Sequence, residues 1–255
     1  MLTLEQWLLG GLAALLIGFS KTGVPGVGIL VVPLMAIVFQ GRAAVGATVL
    51  LLIFADLFAV YWYRRYTRWD KLWQLLPWVA VGMLAGVITL FVVGEDAQGK
   101  DQLNAWIGAL VLIMLAVYLA QLKWGERLRP ASRMGLVATG SAAGFATTVS
   151  NAAGPIMSIY MTSLGLPKHE FMGTTAWYFF IFNVVKVPLY GLVMVLAPDR
   201  PLFTLHGLIF DVFMLPVIVV GVLVGRWMLP RVPQGIFNGL ALSLAGVAAL
   251  RLILG

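Results

Sequence analysis

The chain is interrupted by a polar stretch, GFSKTGVPGVG at residues 18–28, inside an apolar region that otherwise extends over Leu2–Phe39. The apolar remnant after the interruption, Val27–Phe39, has only 13 residues, whereas a helix needs about 20 to cross a bilayer. A second stretch, GFATTVSNAAGP at residues 144–155, interrupts the region Met134–Leu164 in the same way. Each region therefore predicts a broken helix pair or re-entrant segment with a polar turn at membrane depth.

Six other apolar runs are each long enough to cross a membrane. They are Ala43–Tyr63, Leu72–Val93, Leu103–Ala120, Phe171–Leu196, Leu205–Leu229 and Gly235–Leu254. Apolar residues make up 61% of the 255 residues and charged residues 11%, against roughly 45–50% and about 25% in soluble domains. So few charges cannot cover a water-facing surface, which argues against a soluble enzyme or nucleic-acid-binding protein. The composition predicts an all-α integral membrane protein, a polytopic helix bundle in the lipid bilayer.

Basic residues set the expected orientation, because short cytoplasmic loops are enriched in lysine and arginine. The net charge of +7 reflects this bias, and no nucleic-acid partner is expected. Eleven of the 17 basic residues lie in the connections that we assign to the cytoplasm: Arg64, Arg65, Arg68, Lys71, Lys123, Arg127, Arg129, Arg133, Lys168, Arg226 and Arg231. Both termini are then expected on the side of the membrane opposite the cytoplasm.

The chain also consists of two similar halves. Gly18 matches Gly144 at a separation of 126 residues, and Asp56 lies opposite Asn183 at 127. A third block matches at a separation of 139 and pairs Pro77, Gly82 and Gly86 with Pro216, Gly221 and Gly225. The charge assignment gives the halves opposite orientations, which predicts inverted repeats: residues 1–120, a cytoplasmic connector at 121–133, and residues 134–255. Inverted repeats with broken helices are typical of secondary transporters.

The polar breaks predict an anion site. Unwound backbone is tolerated at membrane depth where it lines a cavity, and Ser20, Thr22, Ser150 and Asn151 are residue types that cap helix starts. Helix starts attract anions, and Lys21 adds a positive charge. The structural alternative is that glycine and proline only kink packed helices, while serine and threonine bond to freed backbone groups.

Two further ionisable residues lie inside apolar spans. Lys186 shares one helical face with Asn183 and Tyr190, and a buried lysine by default marks a substrate or ion path. The alternatives are that Lys186 pairs with Asp56 or extends to the membrane interface. Asp56 is expected to carry a coupling proton or to balance a lysine. The GxxxG pairs of the two halves predict close helix packing.

The two breaks, together with the pattern Gly-Thr-x-Ala-x-x-Phe…Asn-x-x-Lys-x-Pro at residues 173–188, resemble the TauE/SafE sulfite exporter family of membrane permeases. The resemblance covers essentially the whole chain. It implies transport, with export expected, of sulfite, of a sulfonate such as sulfoacetate, or of a related organic anion. It also implies a location in a bacterial inner (plasma) membrane, which would place both termini in the periplasm.

The residues and the resemblance lead to one expectation, an anion permease that works by alternating access, and a homo-oligomer is compatible with it. The predicted substrate-binding residues are Ser20, Lys21, Thr22, Gly23, Gly26, Thr148, Ser150, Asn151, Gly154, Asn183 and Lys186, with Asp56 as a coupling group or ion-pair partner. Neither a cofactor nor a metal is expected, since the chain has no cysteine and two histidines. The alternatives are a permease for another solute such as a carboxylate, a membrane-embedded enzyme, and a structural subunit.

Overall fold

The computed structural model describes residues 2–23, 27–39, 41–92, 133–164, 166–199 and 201–228, Arg231, and six separate residues between 108 and 120. Throughout this part of the chain the regular structure is helical, with no strand. The α-helices are α1 (Leu4–Thr22), α2 (Val31–Phe39), α3 (Gly41–Tyr63), α4 (Trp69–Val92), α5 (Arg133–Ser150), α6 (Gly154–Ser163), α7 (Lys168–Leu196) and α8 (Leu205–Met228). Single 3-10 turns precede α2 at Val27–Leu30 and follow α3 at Arg64–Tyr66. The all-α fold class is confirmed.

Four helical segments of the described chain are long and apolar enough to cross a membrane. They are Gly41–Tyr66, Trp69–Val92, His169–Leu196 and Leu205–Met228. These segments confirm four of the six predicted spans. The other two, Leu103–Ala120 and Gly235–Leu254, lie outside the described residues except for the separate positions noted above, and so does the connector at 121–133 except Arg133, where α5 begins.

The first broken region differs from the prediction in where its polar residues lie. Helix α1 continues to Thr22, so Ser20 and Thr22 end one helix and do not cap the start of the next. The Ser20 hydroxyl donates to the Ile17 carbonyl at 3.0 Å, and the Thr22 hydroxyl donates to the Val222 carbonyl at 2.7 Å. The Thr22 hydroxyl also lies 3.3 Å from the Gly18 carbonyl of α1. The capping prediction was wrong because serine and threonine hydroxyls also bond to backbone carbonyls of their own or a neighbouring helix.

The second broken region shows the same correction. Ser150 is the last residue of α5, and its hydroxyl donates to the Ala146 carbonyl at 3.1 Å. Asn151 follows with φ 56°, a left-handed conformation that asparagine tolerates better than most residues, and its N–H donates to the Thr147 carbonyl at 3.2 Å. This is a helix C-terminal cap, so neither residue caps α6. Pro155, as expected, lies in the first turn of α6.

Glycines bring helices from the two halves of the chain into close contact. A Cβ atom on Gly18 of α1 would collide with the backbone of Ile218 in α8, and one on Gly144 of α5 would collide with the backbone of Val79 in α4. Substitution at Gly82 or Gly221 would meet the backbone of α5 or α1 in the same way. The predicted close packing of the GxxxG faces is confirmed, because only glycine fits at these crossings.

Equivalent contacts recur at the residue separations of the predicted repeat. Gly18 and Ile218 correspond to Gly144 and Val79, at separations of 126 and 139. The Tyr63 hydroxyl donates to the Thr22 carbonyl at 3.0 Å, and the Tyr190 hydroxyl donates to the Thr148 carbonyl at 2.7 Å, with separations of 127 and 126. Corresponding helices α3 and α7 run antiparallel, since Asp56 contacts Asn183 while Thr67 contacts Gly173. Inverted repeats would produce this pattern.

Basic connections come together at one end of the bundle. The Arg68 side chain donates to Glu170 at 3.1 Å, the rings of Tyr66 and His169 are 5.1 Å apart, and Arg226 lies 4.5 Å from the ring of Trp62. Helix α1 begins at the opposite end, where the Gln6 side chain donates to the Val38 carbonyl at the end of α2.

Candidate functional site

A cavity lies between the two breaks. Its volume, counted as the space open to the centres of water molecules, is about 80 Å³. One water needs roughly 10–15 Å³ of such space. Its wall is formed by the end of α1, the beginnings of the segments after both breaks, and the inward faces of α3 and α7. The polar lining residues are Ser20, Lys21, Thr48, Thr147, Asn151, Ser158, Thr175 and Asn183. The cavity therefore has room for several waters or one compact solute.

Lys21 and Asp56 form an ion pair at the edge of this cavity. The Lys21 Nζ atom lies 2.7 Å from Asp56 Oδ1; the lysine side chain is 10% exposed and the aspartate side chain is fully buried. Asn183 of α7 donates its Nδ2–H to Asp56 Oδ2 at 2.6 Å. The carboxylate is thus held by donors from both halves of the chain. This arrangement corrects the alternative in which Lys186 pairs with Asp56, because Lys21 takes that place.

Phe179 completes the immediate surroundings of the Lys21 ammonium. The Nζ atom lies 4.0 Å from the centroid of the Phe179 ring, which is within the range of a cation–π interaction. Both Lys21 and Phe179 line the cavity. The ammonium therefore touches a carboxylate, an aromatic face and the cavity at once.

Lys186 is held differently, by neutral acceptors at the end of α5. Its Nζ atom donates to the Thr147 carbonyl at 3.0 Å, to the Thr147 hydroxyl at 3.1 Å and to Asn151 Oδ1 at 2.5 Å. Three acceptors match the three N–H donors of an ammonium group, and the C-terminal end of a helix favours a cation. Lys186 is fully buried, so the alternative that it extends to the membrane interface is wrong.

The structure brings together five of the predicted site residues at the cavity wall: Ser20, Lys21, Asn151, Gly154 and Asn183. Four others lie behind the wall. Thr22, Thr148 and Ser150 are buried and donate their hydroxyl hydrogens to backbone carbonyls, and Lys186 reaches the cavity only through Thr147 and Asn151. Gly23 packs against Gly225 of α8. Gly26 lies outside the described residues.

Sequence reasoning missed a pair of threonines, Thr48 on α3 and Thr175 on α7, which both line the cavity. Their hydroxyls donate to carbonyls of their own helices, Ala44 at 2.6 Å and Phe171 at 2.7 Å. The signal was present, because these threonines occupy equivalent positions 127 residues apart in the two halves. Gly28 and Gly154 are a second equivalent pair at the wall.

Two alternative chemistries can be compared with this geometry. Within the described residues, no group of three or more histidine, cysteine, aspartate or glutamate side chains could hold a metal ion. A Ser–Lys hydrolase needs the lysine to activate the serine, whereas the Ser20 hydroxyl donates to Ile17 and the Lys21 ammonium contacts Asp56. The arrangement is suited to holding a charged solute.

The fold and the cavity define an all-α, multi-pass membrane protein with a buried polar site between its helices. A family model described as "Sulfite exporter TauE/SafE" matches residues 10–252. The chain therefore belongs to this family of membrane transporters, as the motif at residues 173–188 indicated. No curated protein matches the chain significantly, and no solved structure does so either.

Proposed function

We propose that the chain is a permease for small oxyanions, sulfite or an organosulfonate such as sulfoacetate, and that Lys21 binds the anion in the cavity. The observation that carries the proposal is the position of the Lys21 ammonium. Among the described residues, it is the basic side chain that lines the cavity, and it is 90% shielded from solvent. A shielded ammonium attracts an anion more strongly than one in water, because the local dielectric constant is lower.

Two helix beginnings add to the positive potential. Gly28, in the 3-10 turn that leads into α2, and Gly154, the first residue of α6, both border the cavity. The first peptide N–H groups of a helix carry partial positive charge that favours anions. Compact anions with several acceptor oxygens, such as sulfite and sulfonates, suit this combination with Lys21.

The apolar part of the wall favours an organosulfonate within this class. Ile29, Val32, Leu52 and Met172 line the cavity beside the polar residues. A short hydrocarbon group attached to the sulfonate would bury its surface there and gain roughly 0.8 kcal/mol per methylene.

Alternating access is the proposed mechanism, with the two halves moving about the site. The recurrence of the Gly18–Ile218 contact as Gly144–Val79 supports an inverted repeat in which helices are exchanged between halves. The family description supports export. The apolar spans and the transporter family support the proposed location in the inner membrane. The grouping of basic residues at the end opposite the beginning of α1 supports an orientation with the N-terminus in the periplasm.

Counterflow in proteoliposomes tests the proposed substrate class. Vesicles loaded with sulfite should take up labelled sulfite, and sulfoacetate, thiosulfate and small carboxylates compete in the external medium. We expect the sulfur oxyanions to compete best and neutral dimethyl sulfone not to compete. Equal competition by the neutral compound would contradict an ammonium-based site, and preferential competition by a carboxylate would favour a carboxylate permease.

A further inference from the structure

The anion-binding lysine of the proposed site already has an anionic partner. Asp56 lies 2.7 Å from the Lys21 ammonium and is fully buried. A substrate anion that contacts the same ammonium would share it with this carboxylate. Two negative charges on one ammonium repel each other strongly in a shielded environment, so occupancy of the site requires that the charge of Asp56 be removed or balanced.

We propose that Asp56 is a proton-binding site and that the proton it takes up when the anion binds crosses the membrane with that anion. This inference rests on the proposed function. One proton converts the Asp56 carboxylate to a carboxylic acid, and Lys21 remains an ammonium. The charge of the Lys21–Asp56 pair then changes from zero to +1, and the bound anion compensates it. Release of the anion returns Lys21 to the carboxylate and frees the proton on the same side.

Asn183 is arranged to hold Asp56 in both protonation states. Its Nδ2–H donates to the carboxylate at 2.6 Å, while its Oδ1 atom is buried and accepts no hydrogen bond within the described structure. A buried amide oxygen without a donor is uncommon. The carboxylic acid form of Asp56 would supply an O–H donor to it after rotation of the amide, because an amide offers donor and acceptor on neighbouring atoms.

The charged groups around Asp56 leave Lys21 as its direct partner. Helix α2 carries no charged residue. Lys186 of α7 is bound to Thr147 and Asn151. On α8, Arg226 lies against Trp62 near the far end of α3, and Asp211 lies in the second turn of that helix. The remaining charged residues of α1 and of the segment from α3 to Tyr66 lie toward the helix ends: Glu5, Arg42, Arg64 and Arg65.

The test compares wild type with Asp56→Asn in proteoliposomes whose membrane potential is clamped at zero. The probe is whichever of sulfite and sulfoacetate undergoes counterflow in the wild type. Coupling of one proton to one anion should produce about tenfold accumulation for a pH difference of about one unit. We expect Asp56→Asn to retain counterflow but to lose this accumulation, because an amide cannot take up the proton. Both proteins are measured under the same pH gradient, so a proton that sulfite itself carries contributes equally to both and does not affect the comparison.

Asp211→Asn is the matched control, since Asp211 is also a buried carboxyl inside a spanning helix. It should accumulate the anion as the wild type does. Accumulation in Asp56→Asn equal to that of the wild type would overturn the inference, as would wild-type counterflow that a pH gradient cannot drive into accumulation. The second of these results is measured on the wild type alone, so it overturns the inference even if Asp56→Asn fails to fold. An absence of wild-type counterflow would contradict the proposed function itself.

Discussion

The two breaks in the chain hold their lysines in opposite ways. At the first break, Lys21 belongs to the broken helix itself, and its ammonium crosses to a carboxylate on α3 and faces the cavity. At the second break, Lys186 comes from α7, and its ammonium binds neutral oxygens at the end of α5. The first lysine has a charged partner that a substrate can replace. The second lysine binds uncharged oxygens that belong to the end of a helix.

This difference separates a binding lysine from a supporting one. Near the end of α5 the Thr147 carbonyl accepts from the Asn151 N–H and from Lys186, and Lys186 also donates to Asn151 Oδ1. Lys21, by contrast, contacts a carboxylate and an aromatic ring and not the atoms of a helix end. A charged residue in a membrane span is costly and usually functional. The comparison supports the proposed role of Lys21 in binding the anion, and it leads us to propose that Lys186 positions Asn151 at the cavity wall.

The largest expected effect follows from Lys21→Met. This change removes the ammonium and leaves Asp56 buried without its counter-ion, which should lower the free energy of unfolding by about 3–5 kcal/mol. The double variant Lys21→Met/Asp56→Asn should regain most of that stability, because no buried charge remains. Neither variant should bind sulfite. Thermal unfolding in detergent and equilibrium binding measure the two quantities separately.

The matched control is Lys71→Met, since Lys71 pairs with exposed Asp70 at the beginning of α4. Exposed ion pairs contribute about 0–1 kcal/mol, so both stability and binding should stay near the wild-type values. Wild-type sulfite affinity in the stable double variant would contradict the proposed role of Lys21.

A smaller effect is expected for Lys186→Met. Loss of the ammonium leaves Asn151 Oδ1 without this donor, while the Thr147 carbonyl keeps the Asn151 N–H. An unsatisfied buried acceptor costs about 1–3 kcal/mol. Affinity for sulfite should fall less than in Lys21→Met, because Lys186 acts through Asn151. Binding measured per folded molecule distinguishes the roles: complete loss at normal stability would place Lys186 on the anion and remove the contrast between the two breaks.

The sequence was sufficient to predict the four spans that the described residues confirm, but not the ends of the broken helices. Apolar length alone predicts a span such as Leu205–Leu229, because a bilayer imposes a fixed thickness. Whether Ser20 and Thr22 end α1 or begin the next segment depends on which carbonyls their hydroxyls reach, and both choices fit the same residues. The position of that end decides that Lys21, and not Lys186, reaches Asp56.

The sequence came closer to predicting the contact between Asp56 and Asn183 than the ion pair between Lys21 and Asp56. The two residues occupy equivalent positions of the predicted repeat, and equivalent positions meet in space when they lie near a symmetry axis that relates the halves. Sequence comparison placed them opposite each other without showing that they touch. The cavity threonines Thr48 and Thr175 carried the same signal and were missed because hydroxyl groups in apolar helices usually bond to their own backbone.

The smallest expected effect concerns Phe179, whose ring contacts the lysine of the first break. Phe179 lies under the Lys21 ammonium and also lines the cavity, so the ammonium can exchange Asp56 for an anion without leaving the ring. The ring then contacts the ammonium both with and without the anion, and only a difference between the two states changes an affinity, so Phe179→Leu should leave the Kd for sulfite within about twofold of the wild type. Phe180→Leu is the control, because that ring contacts Trp177 instead.

The change in Kd on Phe179→Leu shows whether the Lys21 ammonium leaves the ring when the anion binds. If Lys21 left the ring to reach the anion, removal of the ring would release a competing partner and tighten binding. A Kd near the wild-type value in Phe179→Leu, as in Phe180→Leu, fits an ammonium that stays in place while its anionic partner changes. Tighter binding would instead require a lysine that moves off the ring, and the anion would then bind away from the Asp56 carboxylate. The anion and the carboxylate would no longer share one ammonium. Their repulsion is the reason for which proton coupling at Asp56 was inferred, so tighter binding would remove that reason.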